Sequence, residues 1–188
     1  MNKVRTPLLD VAARELIYRM HVFIFGCRPS DNRLEMLWTH LGIEHGACED
    51  TTAPHDGRAV WNCFDWDLGN RRGIEGDDGS FQMTAGEIIN GHEVQIGGKW
   101  PSFSGADMGM ATWLLMLKRH YSSAWEASDH GDPATYAAAL KAKGYFTAAL
   151  DRYTAGLRTW QAIYRRHTSW PDLAGFDPIH DTEPPPSV

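Results

Sequence analysis

The dipeptide Asn90-Gly91, with an extended apolar-rich run on either side, constrains this chain more than any other feature. Asn-Gly between two strand-like runs is the strongest short-range hairpin signal, because a tight two-residue turn needs positive φ at both positions. The flanking runs are Phe81–Ile89 and Glu93–Ile96, so a β-hairpin is expected in mid-chain. The segments on either side of it that carry a clear period have helical spacing. A mainly α (α+β) fold with one small β lobe between helices follows.

Leu9, Ala12, Ala13, Leu16 and Met20 recur at helical spacing and Pro7 suits a first turn, which predicts one helix over about 8–24. Ser30 or Asp31 caps a second helix with Leu34, Leu37, Trp38 and Leu41 on its apolar face. After the hairpin, Ser104 and Asp107 resemble a capping box ahead of Met110, Trp113, Leu114, Leu117 and Tyr121. Asp132 as cap, Pro133 at the first position and Gly144 past the end bracket a shorter helix through Tyr136, Ala137 and Leu140. A last helix over about 149–166 turns Tyr153, Leu157, Trp160 and Tyr164 inward. Pro171, Pro178 and Pro184-Pro185-Pro186 then mark an irregular Pro-rich tail, so one domain is expected over 1–168 and a tail over 169–188.

Eighteen basic against 24 acidic residues give a net charge of −6 with no basic stripe, which argues against nucleic acid as a partner. The longest near-apolar run, Met110–Leu117, is far short of the roughly 20 residues that cross a bilayer, so no membrane span is expected. The first 20 residues carry Asp10, Arg14, Glu15 and Arg19 where a signal peptide needs an apolar core. Classical export is therefore not expected. Three cysteines, Cys27, Cys48 and Cys63, match no zinc motif, and free, buried thiols are expected. Residues 46–82 read as a long ordered loop with interleaved aromatics, of the kind that carries function in compact domains.

Glu44 extends the apolar stripe of Leu34, Leu37 and Leu41. A carboxylate there points to the core or to a cleft floor, where desolvation raises its pKa toward what a general acid needs. The alternative is that it ends its helix and swings to solvent beside Gly46.

Several blocks together resemble a known family: Leu41-Gly42-Ile43-Glu44-His45-Gly46, Trp61-Asn62 through Leu68-Gly69-Asn70, the hairpin Thr84–Gly91, and Gly131–Leu140 with Gly144-Tyr145-Phe146-Thr147-Ala148. They are similar to the bacterial and phage glucosaminidases, peptidoglycan hydrolases of the flagellar and autolysin type, over about residues 30–157. The resemblance implies a lysozyme-like fold, with a helical lobe, a hairpin lobe and a cleft that holds a peptidoglycan glycan strand. It implies cleavage of the β-1,4 bond after N-acetylglucosamine without a cofactor. Glu44 then matches the catalytic acid, Glu87 the second carboxylate on a mobile hairpin, and Tyr145 the aromatic lining the cleft. Trp61, Trp66 and Asn70 are further glycan-binding candidates, and Trp100, like Trp61 and Trp66, is an indole in a loop or at a hairpin end that is a candidate to stack on sugar. Two positions depart from the family pattern: His45 stands where a small hydroxyl residue is usual and Ala47 where an aromatic often follows. With no export signal expected, the resemblance implies synthesis in the cytoplasm and action on the cell wall by phage-type release or particle delivery, with a phage particle or a membrane-lysing helper protein as partner.

Other chemistries fit less well. His40, His45, His55 and His92 with Cys48, Cys63, Asp65 and Asp67 lack the spacing of a zinc peptidase, and Asp65-Trp66-Asp67 lacks that of a calcium loop. No Gly-x-Ser-x-Gly elbow is present. The alternative from a different class is a non-catalytic lysozyme-like module, structural or wall-binding, in a phage particle or secretion device.

Overall fold

In the computed structural model, residues 5–45, 60–69, 76–89, 92–167 and 170–177 are described, with the backbone alone at 5, 7, 60–64 and 85–89. The chain opens with strand β1, Arg5–Leu9, followed at once by helix α1, Asp10–Phe25. The expected helix start at residue 8 is therefore wrong. Pro7 sits opposite Asn62 in a two-stranded ladder with β2, Val60–Phe64, where a missing N–H is tolerated because both strands are edges. Tertiary pairing overrides the helical spacing of Leu9, and the Asp10 carboxylate accepts the Val11 N–H where α1 begins. Strand β2 also replaces part of what reads as loop from the sequence.

Helix α2, Asp31–His45, is capped by Ser30, whose hydroxyl accepts the Arg33 N–H at 3.1 Å. The hairpin follows as β3, Ser80–Ile89, and β4, His92–Pro101, antiparallel from Ser80 opposite Pro101 to Ile89 opposite His92. Asn90 and Gly91 themselves lie outside the described residues. The return strand is longer than expected and takes in Trp100, which is buried beside Phe81 at 6.5 Å between ring centres. Trp100 is thus a hairpin anchor and offers no face for a sugar.

Helix α3, Ala106–His120, starts without a side-chain cap. Ser104 is taken instead by Asp77, to which it donates from both N–H and hydroxyl, and Asp107 pairs with Arg19 of α1, so the expected capping box does not form. A short helix that the sequence reading lacks, α4, Ser122–Ala127, precedes α5, Pro133–Ala142. The α5 bracket is as expected: Asp132 accepts N–H groups of Ala134 and Thr135, and Gly144 adopts φ +70°. Helix α6, Leu150–Arg166, closes the helical body.

Trp38 lies at the centre of the core, fully buried, with Trp160 and Tyr164 of α6 and Trp170 edge-on around it at 5.3–5.9 Å. Its indole N–H donates to the Asp10 carbonyl at 2.8 Å, which ties α2 to the start of α1. Of the segment read as a tail, residues 170–177 lie on this body: Leu173 is buried, and Asp177 accepts from Tyr18 and pairs with Arg28. Cys27 carries a free thiol that is exposed, against the expectation of burial, because it follows the αL glycine Gly26 that ends α1. Cys48 lies outside the described residues, as does the Cys63 side chain. No helix among the described residues is long and apolar enough to cross a membrane.

Candidate active site

Glu44 occupies the last turn of α2, and the approach of α6 decides where its side chain goes. Gly42 makes that approach possible: a Cβ there would stand 2.5 Å from Trp160. Gly156 does the same from the other side, where a Cβ would stand 2.5 Å from the Ile43 side chain. With the two helices this close, Tyr153 of α6 donates its hydroxyl to Glu44 Oε1 at 2.7 Å. The Glu44 side chain remains only 14% exposed, so it faces the interior and not solvent.

One turn back, His40 is completely buried, and its Nε2 faces Glu44 Oε1 at 3.6 Å. Its Nδ1 lies 2.7 Å from the Tyr136 hydroxyl of α5. The rings of Trp113, Tyr136, Tyr145 and Tyr153 surround it edge-on at 4.8–6.4 Å. Phe146 stacks on Tyr153 at 3.8 Å. On the hairpin side, His45 donates from Nε2 to the Leu68 carbonyl at 3.0 Å, and Tyr145 donates to the Gly69 carbonyl at 3.3 Å. These two bonds hold residues 68–69 against the end of α2 and the loop after α5.

The electrostatics of Glu44 correct the sequence expectation of a raised pKa. Burial does push the carboxyl up, but the His40 ring that faces it at 3.6 Å, the Tyr153 hydroxyl and the His45 ring together outweigh it. The carboxyl is held below its ordinary value, ionised in the resting site. Tyr145 and Tyr153 move the opposite way, raised first by burial and then by the Glu44 charge, as is Tyr136. All three stay protonated and act as hydroxyl donors or acceptors.

The structure brings Glu44 and Tyr145 into one neighbourhood, through the His40 ring that touches both. Trp66 lies in a turn with Asp65, both at positive φ, and its half-buried ring packs on the core. Glu87 stands in β3 opposite Val94, and Trp61 in β2 opposite Leu8, their side chains lying outside what is described. Asn70 lies outside the described residues altogether. Among the described residues no three of His, Cys, Asp and Glu gather as metal ligands would. His40, Tyr136 and Tyr153 are what sequence reasoning missed at the site. For His40 the signal was available, since it stands four residues before Glu44 on one helix face.

No protein-family model matches the sequence, and no curated protein matches it. Among solved structures the chain is similar to the catalytic domain of the autolysin Auto from Listeria monocytogenes, with a TM-score of 0.53 and 14% identity over 89% of this chain and 85% of that one. The fold is lysozyme-like. A peptidoglycan hydrolase mutant from Sphingomonas sp. A1 has a TM-score of 0.49 and 14% identity over 84% of this chain and 94% of that one. A C-terminally truncated glycoside hydrolase domain from Salmonella typhimurium FlgJ has a TM-score of 0.48 and 16% identity over 83% and 95%.

Proposed function

We propose that this lysozyme-like chain is a peptidoglycan hydrolase that cleaves the β-1,4 glycosidic bond after N-acetylglucosamine, with Glu44 as the proton-donating carboxylate. The observation that carries this reading is a largely buried glutamate at the end of a core helix, fixed by Tyr153 and walled by aromatic rings. A carboxyl group so placed can protonate a glycosidic oxygen while positive charge develops on the sugar ring. Its held orientation removes the entropy of finding that oxygen. Tyr145, half-buried and edge-on to His40, is the aromatic side chain that receives a sugar ring in this reading.

Glu87 serves as the second carboxylate when the hairpin approaches. A separation near 5–5.5 Å in the closed state makes it a nucleophile, and about 6.5–9.5 Å makes it the base that activates water. The substrate's own N-acetyl group is the third route, and it leaves Glu87 dispensable. The test is glycan cleavage by Glu44→Gln, which keeps the size of the side chain and loses its proton. Loss of about a hundredfold or more with the fold retained is expected, and clearing of cell walls at the wild-type rate would remove Glu44 from the reaction.

A further inference from the structure

His40 is a fully buried titratable group one turn before Glu44, and the inference drawn from it rests on the glycosidase reading of that carboxylate. Its neighbours come from four parts of the fold: Trp113 of α3, Tyr136 of α5, Tyr145 of the loop after α5 and Tyr153 of α6. Nδ1 is satisfied by the Tyr136 hydroxyl at 2.7 Å. Nε2 is fully buried, makes no hydrogen bond among the described residues and faces Glu44 Oε1 across 3.6 Å. A buried ring nitrogen aimed at a carboxylate but not bonded to it is costly in a finished structure. It is what a pair would look like before a proton moves between its members.

We propose that His40 is a positioning residue that stores the catalytic proton: in the open site Nε2 carries it opposite an ionised Glu44, and a bound sugar drives it onto Oε1. The step moves one proton. The Nε2–H bond breaks, an Oε1–H bond forms, and a charged pair becomes a neutral pair. A sugar seated over Glu44 strips water from the carboxylate, and loss of hydration penalises the charged pair far more than the neutral one. The gap must close by about 0.8 Å to reach charge-assisted hydrogen-bond length, a shift within the reach of the carboxylate end of a glutamate. Tyr136 selects which nitrogen gives up the proton. Its oxygen accepts Nδ1–H before and after the transfer, so His40 ends as the neutral Nδ1–H tautomer.

Glu44 then gives the proton to the glycosidic oxygen as the C–O bond breaks. Glu87 or the substrate's N-acetyl oxygen bonds to the sugar carbon as that bond breaks, and in the second half of the reaction water displaces it, delivering hydroxide to the carbon and its proton to Glu44, from which the proton returns to Nε2. The remaining ionisable groups nearby are engaged elsewhere. His45 donates to the Leu68 carbonyl, Tyr153 donates to Glu44, Tyr145 donates to the Gly69 carbonyl, and the charge of Asp67 bears on Tyr145.

The test is the pH profile of glycan cleavage by the full-length wild type and by His40→Gln, which retains polarity toward Tyr136 but cannot store a proton. The expected result is a kcat lower by about a hundredfold at neutral pH, KM within about twofold, and a loss that shrinks in acid as Glu44 takes its proton from solvent. The optimum therefore moves to lower pH. An unchanged profile overturns the proposal. So does an equal loss at every pH, which marks a packing role. Should His40→Gln fail to fold, the ¹⁵N shifts of His40 in the wild type decide, with and without an N-acetylglucosamine oligomer. A proton leaving Nε2 on binding supports the proposal, and an unaltered ring overturns it. A wild type that cleaves no glycan, or a Glu44→Gln variant as active as wild type, overturns the glycosidase reading itself and is recognisable apart from either His40 result.

Discussion

Two side chains with little exposure, His21 and Glu44, each contribute to how the protein responds to acid. His21 donates from Nδ1 to the Cys27 carbonyl at 2.9 Å and stacks on Trp125 at 5.6 Å, while its Nε2 is buried and makes no hydrogen bond among the described residues. Burial, aided by the charges of Arg33 and Lys118, pushes its pKa down from 6.5 to about 4. The unfolded chain thus takes up this proton first as the pH falls, so stability is complete above about 6.5, declines toward about 4 and is level below it. Calorimetric melting temperatures of wild type and His21→Gln over that window check this: the variant's slope should be flatter, and an identical slope would contradict it. Glu44 acts in a lower window. Its carboxyl is held below its unfolded value of 4.5, so its contribution is present above that value and is lost as the pH falls through the folded one. Tyr153→Phe removes one of the groups that hold it down, and carboxyl ¹³C titration should show Glu44 rising toward the ordinary range. The inward direction of Glu44 is legible from the stripe of Leu34, Leu37 and Leu41. The sign of its pKa shift is not, because Tyr153 lies 109 residues away and desolvation loses to partners the sequence does not place.

Elements were legible wherever their determinants are local. The bracket of α5 needs only Asp132, Pro133 and Gly144, all within one helix length, and Asp132→Ala should cost about 0.5–2 kcal/mol through loss of the cap. Chemical denaturation with an unchanged m-value measures that. The hairpin was legible for the same reason, while β1 and β2 were not, since Leu8 pairs with Trp61 far along the chain and a single short strand carries little pattern. The α2 and α6 contact gives a sharper test of element packing. Glycine to alanine inside a helix ordinarily stabilises by about 1 kcal/mol. At Gly42 the added methyl meets the Trp160 ring, and overpacking of this kind costs about 1–3 kcal/mol, so the sign reverses. Gly42→Ala should therefore lower the unfolding free energy and disturb the Tyr153 bond to Glu44, reducing glycan cleavage as well. A stabilised variant would show that α6 can retreat without loss.

At the scale of the whole molecule, a helical body with a hairpin lobe places a largely buried carboxylate and an aromatic cluster together, in a fold similar to that of an autolysin catalytic domain. The fold class was legible because helical periodicity and one turn signal define it. Of the residues singled out from the sequence as site candidates, the structure brings Glu44 and Tyr145 into one neighbourhood, and a single buried bond from His40 of α2 to Tyr136 of α5 joins distant parts of the chain there. Whether this arrangement cuts glycan is decided by digesting purified peptidoglycan and identifying the reduced fragments by mass spectrometry, with wild type and Glu44→Gln run together. The glycosidase reading requires new reducing ends at N-acetylglucosamine from wild type and their absence with the variant. Released peptides, reducing ends at N-acetylmuramic acid, or the same fragments from both proteins would contradict it.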